Sequence, residues 1–84
     1  MRVEFFGVPR QRAGISKLEV RAETLGQMLS ELAAELPAFR EFISHGRLEP
    51  SFAASLNGDR FVEDPQTRLA EDDCVLILSA DAGG

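Results

Sequence analysis

One stretch limits the possible folds more than any other. Thr24 to Leu36, TLGQMLSELAAEL, sets Leu25, Met28, Leu29, Leu32, Ala33 and Leu36 at helical spacing, with Ser30, Glu31 and Glu35 on the opposite side. Thr24 followed by Gln27 fits a capping box, in which a hydroxyl and an amide satisfy orphan backbone N–H groups, and Pro37 ends the run. Gly26 in the first turn lowers local propensity by about 1 kcal/mol relative to alanine, which packing must offset. A single amphipathic helix cannot bury its stripe alone. It needs a sheet face to lie on.

The flanking sequence supplies one. Arg2 to Val8, RVEFFGV, reads as a strand closed by Pro9, and Pro9 to Ile15 as a turn. Ser16 to Ala22 alternates, with Leu18, Val20 and Ala22 on one face and Lys17, Glu19 and Arg21 on the other, as a half-buried strand does. After the helix, Ala38 to Ser44 is expected to form a short helical turn placing Phe39, Phe42 and Ile43 inward, and His45 to Pro50 a polar loop. Phe52 to Leu56 and Arg60 to Glu63 bracket Asn57-Gly58, a hairpin signal because a type I′ turn needs positive φ at both central residues. Leu69 is expected to anchor the next connection. Cys74 to Leu78, CVLIL, is a continuous apolar strand of the central kind. The order β-β-α-β-β-β predicts an α+β domain, residues 1–78: a mixed sheet of four or five strands with one long helix on one face. Residues 79–84 are expected to form a flexible tail.

Charge removes some functions. Fourteen acidic and nine basic residues give a net charge of −5, and no basic cluster is present to neutralise nucleic-acid phosphates. No apolar run approaches the length of a membrane span, and the opening MRVEFFGVPRQ has no signal-peptide pattern. One cysteine cannot make an internal disulfide, which fits a reducing compartment, and the expected location is the cytoplasm.

Catalysis by the chain itself has little support. His45 is the one histidine and has no partner that the sequence places beside it, so it reads as a loop residue. One Cys and one His fall short of a metal site, and Glu71-Asp72-Asp73 lacks the spaced oxygens of a calcium loop. Cys74 heads an apolar strand, where cysteine acts as a small hydrophobe, and Asp72 and Asp73 disfavour a thiolate. Phosphate-cradling glycine loops are missing. Arg10 and Arg12 read as solvated side chains able to steer an acidic partner.

The outer sheet face and the tail say more. If the helix covers Val3, Phe5, Val75 and Ile77, strand alternation turns Phe6, Leu76 and Leu78 outward, with Phe61 beside them, and an uncovered apolar patch marks an interface. Ser79 to Gly84, SADAGG, has no side chain larger than Asp81, and that residue joins Phe6, Phe61, Leu76 and Leu78 as the expected partner contacts. Extended, six residues reach about 20 Å, and glycine at the last two positions lets the chain thread a narrow channel. The terminal carboxylate is then available to attack an activated phosphate.

In this order, VEFFGVPRQRAG, TLGQMLSEL, LNGDRFV, LAEDDCVLIL and the closing Gly83-Gly84 resemble the small β-grasp sulfur carriers. These are relatives of ubiquitin and include the molybdopterin synthase small subunit and the thiamine-pathway carrier. The resemblance implies a carrier that is no enzyme on its own and binds no cofactor or metal itself. A ubiquitin-activating-type adenylyltransferase uses ATP and Mg²⁺ to adenylate the carboxylate, here that of Gly84 after Gly83, and a sulfur donor displaces AMP to leave a thiocarboxylate. In the molybdopterin branch the tail enters the large synthase subunit and gives sulfur to a pyranopterin precursor. Phe6 and Leu78 look similar by position to that branch's interface residues. The length and the FFG…AG opening resemble this branch, whereas Ser79-Ala80 stands where many of its members carry proline. The alternatives are a carrier for thiamine, cysteine or another product, or a ubiquitin-like modifier joined to lysines.

Overall fold

The computed structural model describes residues 1–83; Gly84, expected to bear the reactive carboxylate, lies outside the described residues. The chain forms β1 (Arg2–Phe5), α1 (Gly7–Ala13), β2 (Lys17–Glu19), α2 (Leu25–Glu35), a 3₁₀ segment (Pro37–Phe42), β3 (Ile43–Ser44), β4 (Arg47–Leu48), β5 (Phe52–Leu56), β6 (Arg60–Val62), β7 (Cys74–Ser79) and a 3₁₀ turn (Ala80–Gly83). Five strands make one sheet in the order β2-β1-β7-β5-β6, parallel between β1 and β7 and antiparallel elsewhere.

The long helix starts as its sequence dictates. Gln27 N–H donates to Thr24 Oγ1 at 3.2 Å, while Gln27 Oε1 accepts from Glu23 N–H at 2.9 Å, one residue before the usual partner in a capping box. The next two N–H groups donate to a loop: Leu25 to the Thr67 carbonyl and Gly26 to the Pro65 carbonyl. Leu25, Met28, Leu29 and Leu32 of α2 share one core with Val3, Phe5, Val75 and Ile77, each no more than 1% exposed. The 3₁₀ segment closes the end of this core. Phe39 is fully buried, with ring centroids 5.4 Å from Phe5, 5.4 Å from Phe42 and 5.9 Å from Phe52.

The structure departs from the sequence expectations at three places. The first strand ends at Phe5, not Val8, and the expected turn at Pro9–Ile15 is helix α1. Pro9 falls in its first turn, where an N–H has no helical partner and its loss is harmless. Gly7 (φ +58°) turns the corner out of β1 and Gly14 (φ +79°) ends the helix, both in the left-handed region. Second, the expected loop at His45–Pro50 begins as a tight hairpin, β3–β4, with positive φ at His45 and Gly46. Third, β7 runs one residue past the expected boundary: Ser79 pairs with Phe52, and Ala80 N–H donates to the Ser51 carbonyl at 2.8 Å.

Candidate functional site

The register of the central strands builds the outer face. Val3, Phe5, Val75 and Ile77 point into the core, so their neighbours Glu4, Leu76 and Leu78 point away from it. Ser55 lies opposite both Leu76 and Phe61, and Ala53 opposite Leu78, which carries the band across β5 to the sheet edge. Phe6 extends the band from β1: its backbone is extended, and its N–H donates to the Ile77 carbonyl at 2.9 Å. Leu76 and Leu78 are half-buried, whereas Phe6 is 45% and Phe61 61% exposed. Phe6 and Phe61 are three strand spacings apart, so the band is about 14 Å wide. The segment Ala38–Phe42 packs on the helix side and leaves this band open.

Helix α1 adds a residue that the sequence pattern places in a strand. Val8 is 44% exposed, two residues after Phe6 on a helix that packs against β7, with Arg10, Gln11 and Arg12 following it on the surface. Pro9 followed by Gly14 was the available signal, since proline favours a helix start and glycine a helix end.

The face is polarised along the strands. Its apolar end, with Phe6 and Leu78, meets the point where the chain leaves the sheet, and exposed Asp81 follows in the 3₁₀ turn. Its opposite end is ionic. Arg2 Nε lies 3.1 Å from Glu4 Oε2, and Cys74 Sγ donates to the same oxygen at 3.3 Å. Burial, reinforced by Glu4, pushes the Cys74 thiol up, so the thiol stays protonated. The anionic influence on it therefore comes from Glu4, across the sheet. Asp73 is engaged elsewhere, accepting from Asn57 Nδ2 at 3.0 Å and Ala70 N–H at 2.7 Å, and these bonds hold its carboxyl below the usual range. His45 is exposed, with Nδ1 2.9 Å from Ser44 Oγ. On the helix side of the tail root, a groove of about 550 Å³ is lined by Leu25, Leu29, Leu48, Phe52, Val62 and Ala80.

A mixed sheet that grips one long helix on a single face, with two parallel strands at its centre, defines a β-grasp domain. Residues 3–84 match the model of the ThiS family, and the chain belongs to that family of ubiquitin-like sulfur carriers. No curated protein matches it. Among solved structures, the chain is similar to SAMP1 from Haloferax volcanii (23% identity, 99% of this chain and 97% of that one, TM-score 0.79). It is also similar to CysO from Mycobacterium tuberculosis, described as an antigen (25% identity, 94% and 97% covered, TM-score 0.76). A third likeness is to a putative molybdopterin converting factor subunit 1 from Pyrococcus furiosus (20% identity, 93% of each chain, TM-score 0.75).

Proposed function

We propose that this chain carries sulfur as a thiocarboxylate on Gly84. A ubiquitin-activating-type enzyme binds the outer face, and ATP with Mg²⁺ adenylates the Gly84 carboxylate. The carboxylate oxygen attacks the α-phosphorus, pyrophosphate leaves, and a sulfur donor then displaces AMP at the carbonyl carbon. The carrier itself supplies no general base. Its contribution is to present a slim acyl group and an interface that positions it. The observation that carries this reading is the apolar band ending at the tail root, where Phe6 and Leu78 meet the exit of the chain.

For the receiving pathway we favour molybdopterin synthesis, with the large synthase subunit as partner. Its support is the FFG…AG opening, which folds as the β1–α1 corner and sets Phe6 beside the tail root. One observation favours the thiamine, cysteine or modifier readings instead. Where many molybdopterin-type members carry proline, Ala80 donates its N–H to Ser51, and a proline at that position has no N–H to give. A hydrogen bond, not a ring, sets the exit direction here.

The test is intact-mass measurement after incubation with an activating enzyme, ATP, Mg²⁺ and a sulfur donor. Replacement of one oxygen by sulfur on the C-terminal peptide is expected. An unchanged mass with a competent enzyme overturns the carrier reading. Adding the large synthase subunit and a pyranopterin precursor then decides the pathway: loss of that sulfur to the precursor supports molybdopterin, and its retention rejects it.

A further inference from the structure

An activated acyl group is exposed to every nucleophile its own carrier bears, and this chain bears few. Of nine basic residues eight are arginine and one, Lys17, is lysine. A guanidinium remains protonated and does not attack carbonyl carbon. Two amines therefore remain in the structure. That of Met1 donates to the Val20 carbonyl at 3.0 Å in a buried position and lies 3.7 Å from Glu19. It also sits at the end of the sheet opposite the tail root, because Arg2 pairs with Cys74 at the start of β7. The Cys74 thiol is half-buried against Glu4 and kept protonated.

Lys17 differs on each count. It is exposed, and among the described residues it takes part in neither ion pair. Opposite Glu4 in the ladder, it belongs to the outer face. It is also within range. Glu4 is opposite Leu76, so Lys17 lies two strand spacings across and three residues along from Ser79, about 14 Å between Cα atoms. Five residues from Ala80 to Gly84 span up to about 17 Å when extended, so capture within one molecule requires the Ala80–Gly83 turn to open, whereas a second molecule reaches Lys17 without that.

We infer that Lys17 is the acyl-acceptor site of this chain, capturing the activated Gly84 carbonyl of the same or a second molecule as an amide. The inference rests on the carrier reading above. The neutral ε-amine adds to the carbonyl carbon of the acyl-adenylate. A C–N bond forms, the carbonyl C–O bond to the phosphate breaks, AMP leaves with that electron pair, and the amine proton passes to water. A sulfur donor and Lys17 thus compete for one intermediate. The arginine-rich composition confines self-capture to a single position.

The test uses the full chain and its K17R variant with an activating enzyme, ATP and Mg²⁺, the sulfur donor withheld. Pyrophosphate release reports activation, and intact mass with peptide mapping reports the amide. The wild-type chain is expected to yield a species lighter by one water (capture in cis) or two chains less one water (capture in trans). Either carries the Lys17 peptide joined to the Gly84 peptide. Amide is scored per pyrophosphate released, so that any effect of K17R on enzyme binding cancels, and K17R is expected to give at least about tenfold less amide per pyrophosphate. Amide at wild-type level in K17R, an amide mapped to Met1, or activation without any amide in the wild type overturns the inference. Failure of pyrophosphate release with a competent enzyme overturns the carrier reading and this inference with it.

Discussion

Asn57 joins two loops that meet at the start of β7, and its replacement separates backbone strain from hydrogen bonding. The residue has φ +55°, a left-handed conformation that costs most side-chain-bearing residues about 1–2 kcal/mol, but asparagine little and glycine almost nothing. Its Oδ1 accepts from Cys74 N–H at 2.8 Å and its Nδ2 donates to Asp73 at 3.0 Å. Asn57→Gly removes both bonds and keeps the backbone comfortable. Losing the Cys74 bond alone is worth about 1 kcal/mol, and in a domain this size that lowers Tm by about 4–8 °C. Asn57→Ala loses the same bonds and adds the strain, for a further drop of about 1 kcal/mol. The Asp73 bond adds a pH signature. That carboxyl titrates below its ordinary 3.8, chiefly because of Asn57 and then Ala70. A depressed folded-state value gives stability that is present above the unfolded value and lost as pH falls through the folded one. The difference in Tm between wild type and Asn57→Gly is therefore expected to shrink below about pH 4. Melts followed by circular dichroism at neutral pH and at pH 3 measure all three quantities. An Asn57→Gly protein as stable as wild type, or one less stable than Asn57→Ala, refutes the reasoning.

Three further changes probe the core, the helix start and the face. Phe39→Ala empties the centre of the four-ring cluster and is expected to cost about 3–5 kcal/mol in urea unfolding, a large part of the roughly 4–13 kcal/mol available to 84 residues. At Gly26, an added Cβ falls 3.2 Å from both the Cβ and the carbonyl oxygen of Pro65, so Gly26→Ala is expected to melt below wild type although alanine is the better helix former, and Gly26→Val lower still. A Gly26→Ala protein that melts higher shows that the Pro65 loop yields. Phe61→Ala should leave stability within about 0.5 kcal/mol while raising the KM for activation about tenfold or more, read by pyrophosphate release.

The two faces of the sheet were legible because one short-range rule governs them. Alternation in Val3–Phe5 and Val75–Ile77 needs only the knowledge that the helix covers one side, and TLGQMLSEL supplies that. The outward positions of Phe6, Leu76 and Leu78 then follow without a distance being known. Helix α1 escaped because GVPRQRA buries only Pro9 and Ala13, too few apolar positions to display a period, and because Pro9 is as good a turn residue as a helix starter. The β3–β4 hairpin escaped because its turn places His45, not asparagine or glycine, at positive φ. The Arg2–Glu4–Cys74 cluster escaped for another reason: Glu4 and Cys74 are 70 positions apart, and only the parallel pairing of β1 with β7 brings them together. Local pattern reveals which face a residue takes, whereas register decides what it touches.

Register also explains where a carrier of this kind must keep its affinity. From Ala80 onward the chain offers two methyl groups, two glycines and the carboxylates of Asp81 and Gly84. At about 25 cal/mol per Å² of apolar area, such a segment contributes little on entering a channel, and its ordering opposes binding. On the carrier reading proposed above, affinity for an activating enzyme comes from the outer face, where Phe6 and Phe61 provide large exposed rings beside Leu76 and Leu78. The face then supplies binding common to ground and transition states, and the tail supplies the reacting atom. Removing Gly84 separates the two. The shortened chain is expected to keep its Tm, to release no pyrophosphate, and to inhibit activation of the full chain competitively, with an inhibition constant within about tenfold of the full chain's KM. Phe61→Ala in that shortened background should raise the inhibition constant about tenfold or more. A shortened chain that folds but fails to inhibit places the binding energy in the tail and refutes the role given to the face.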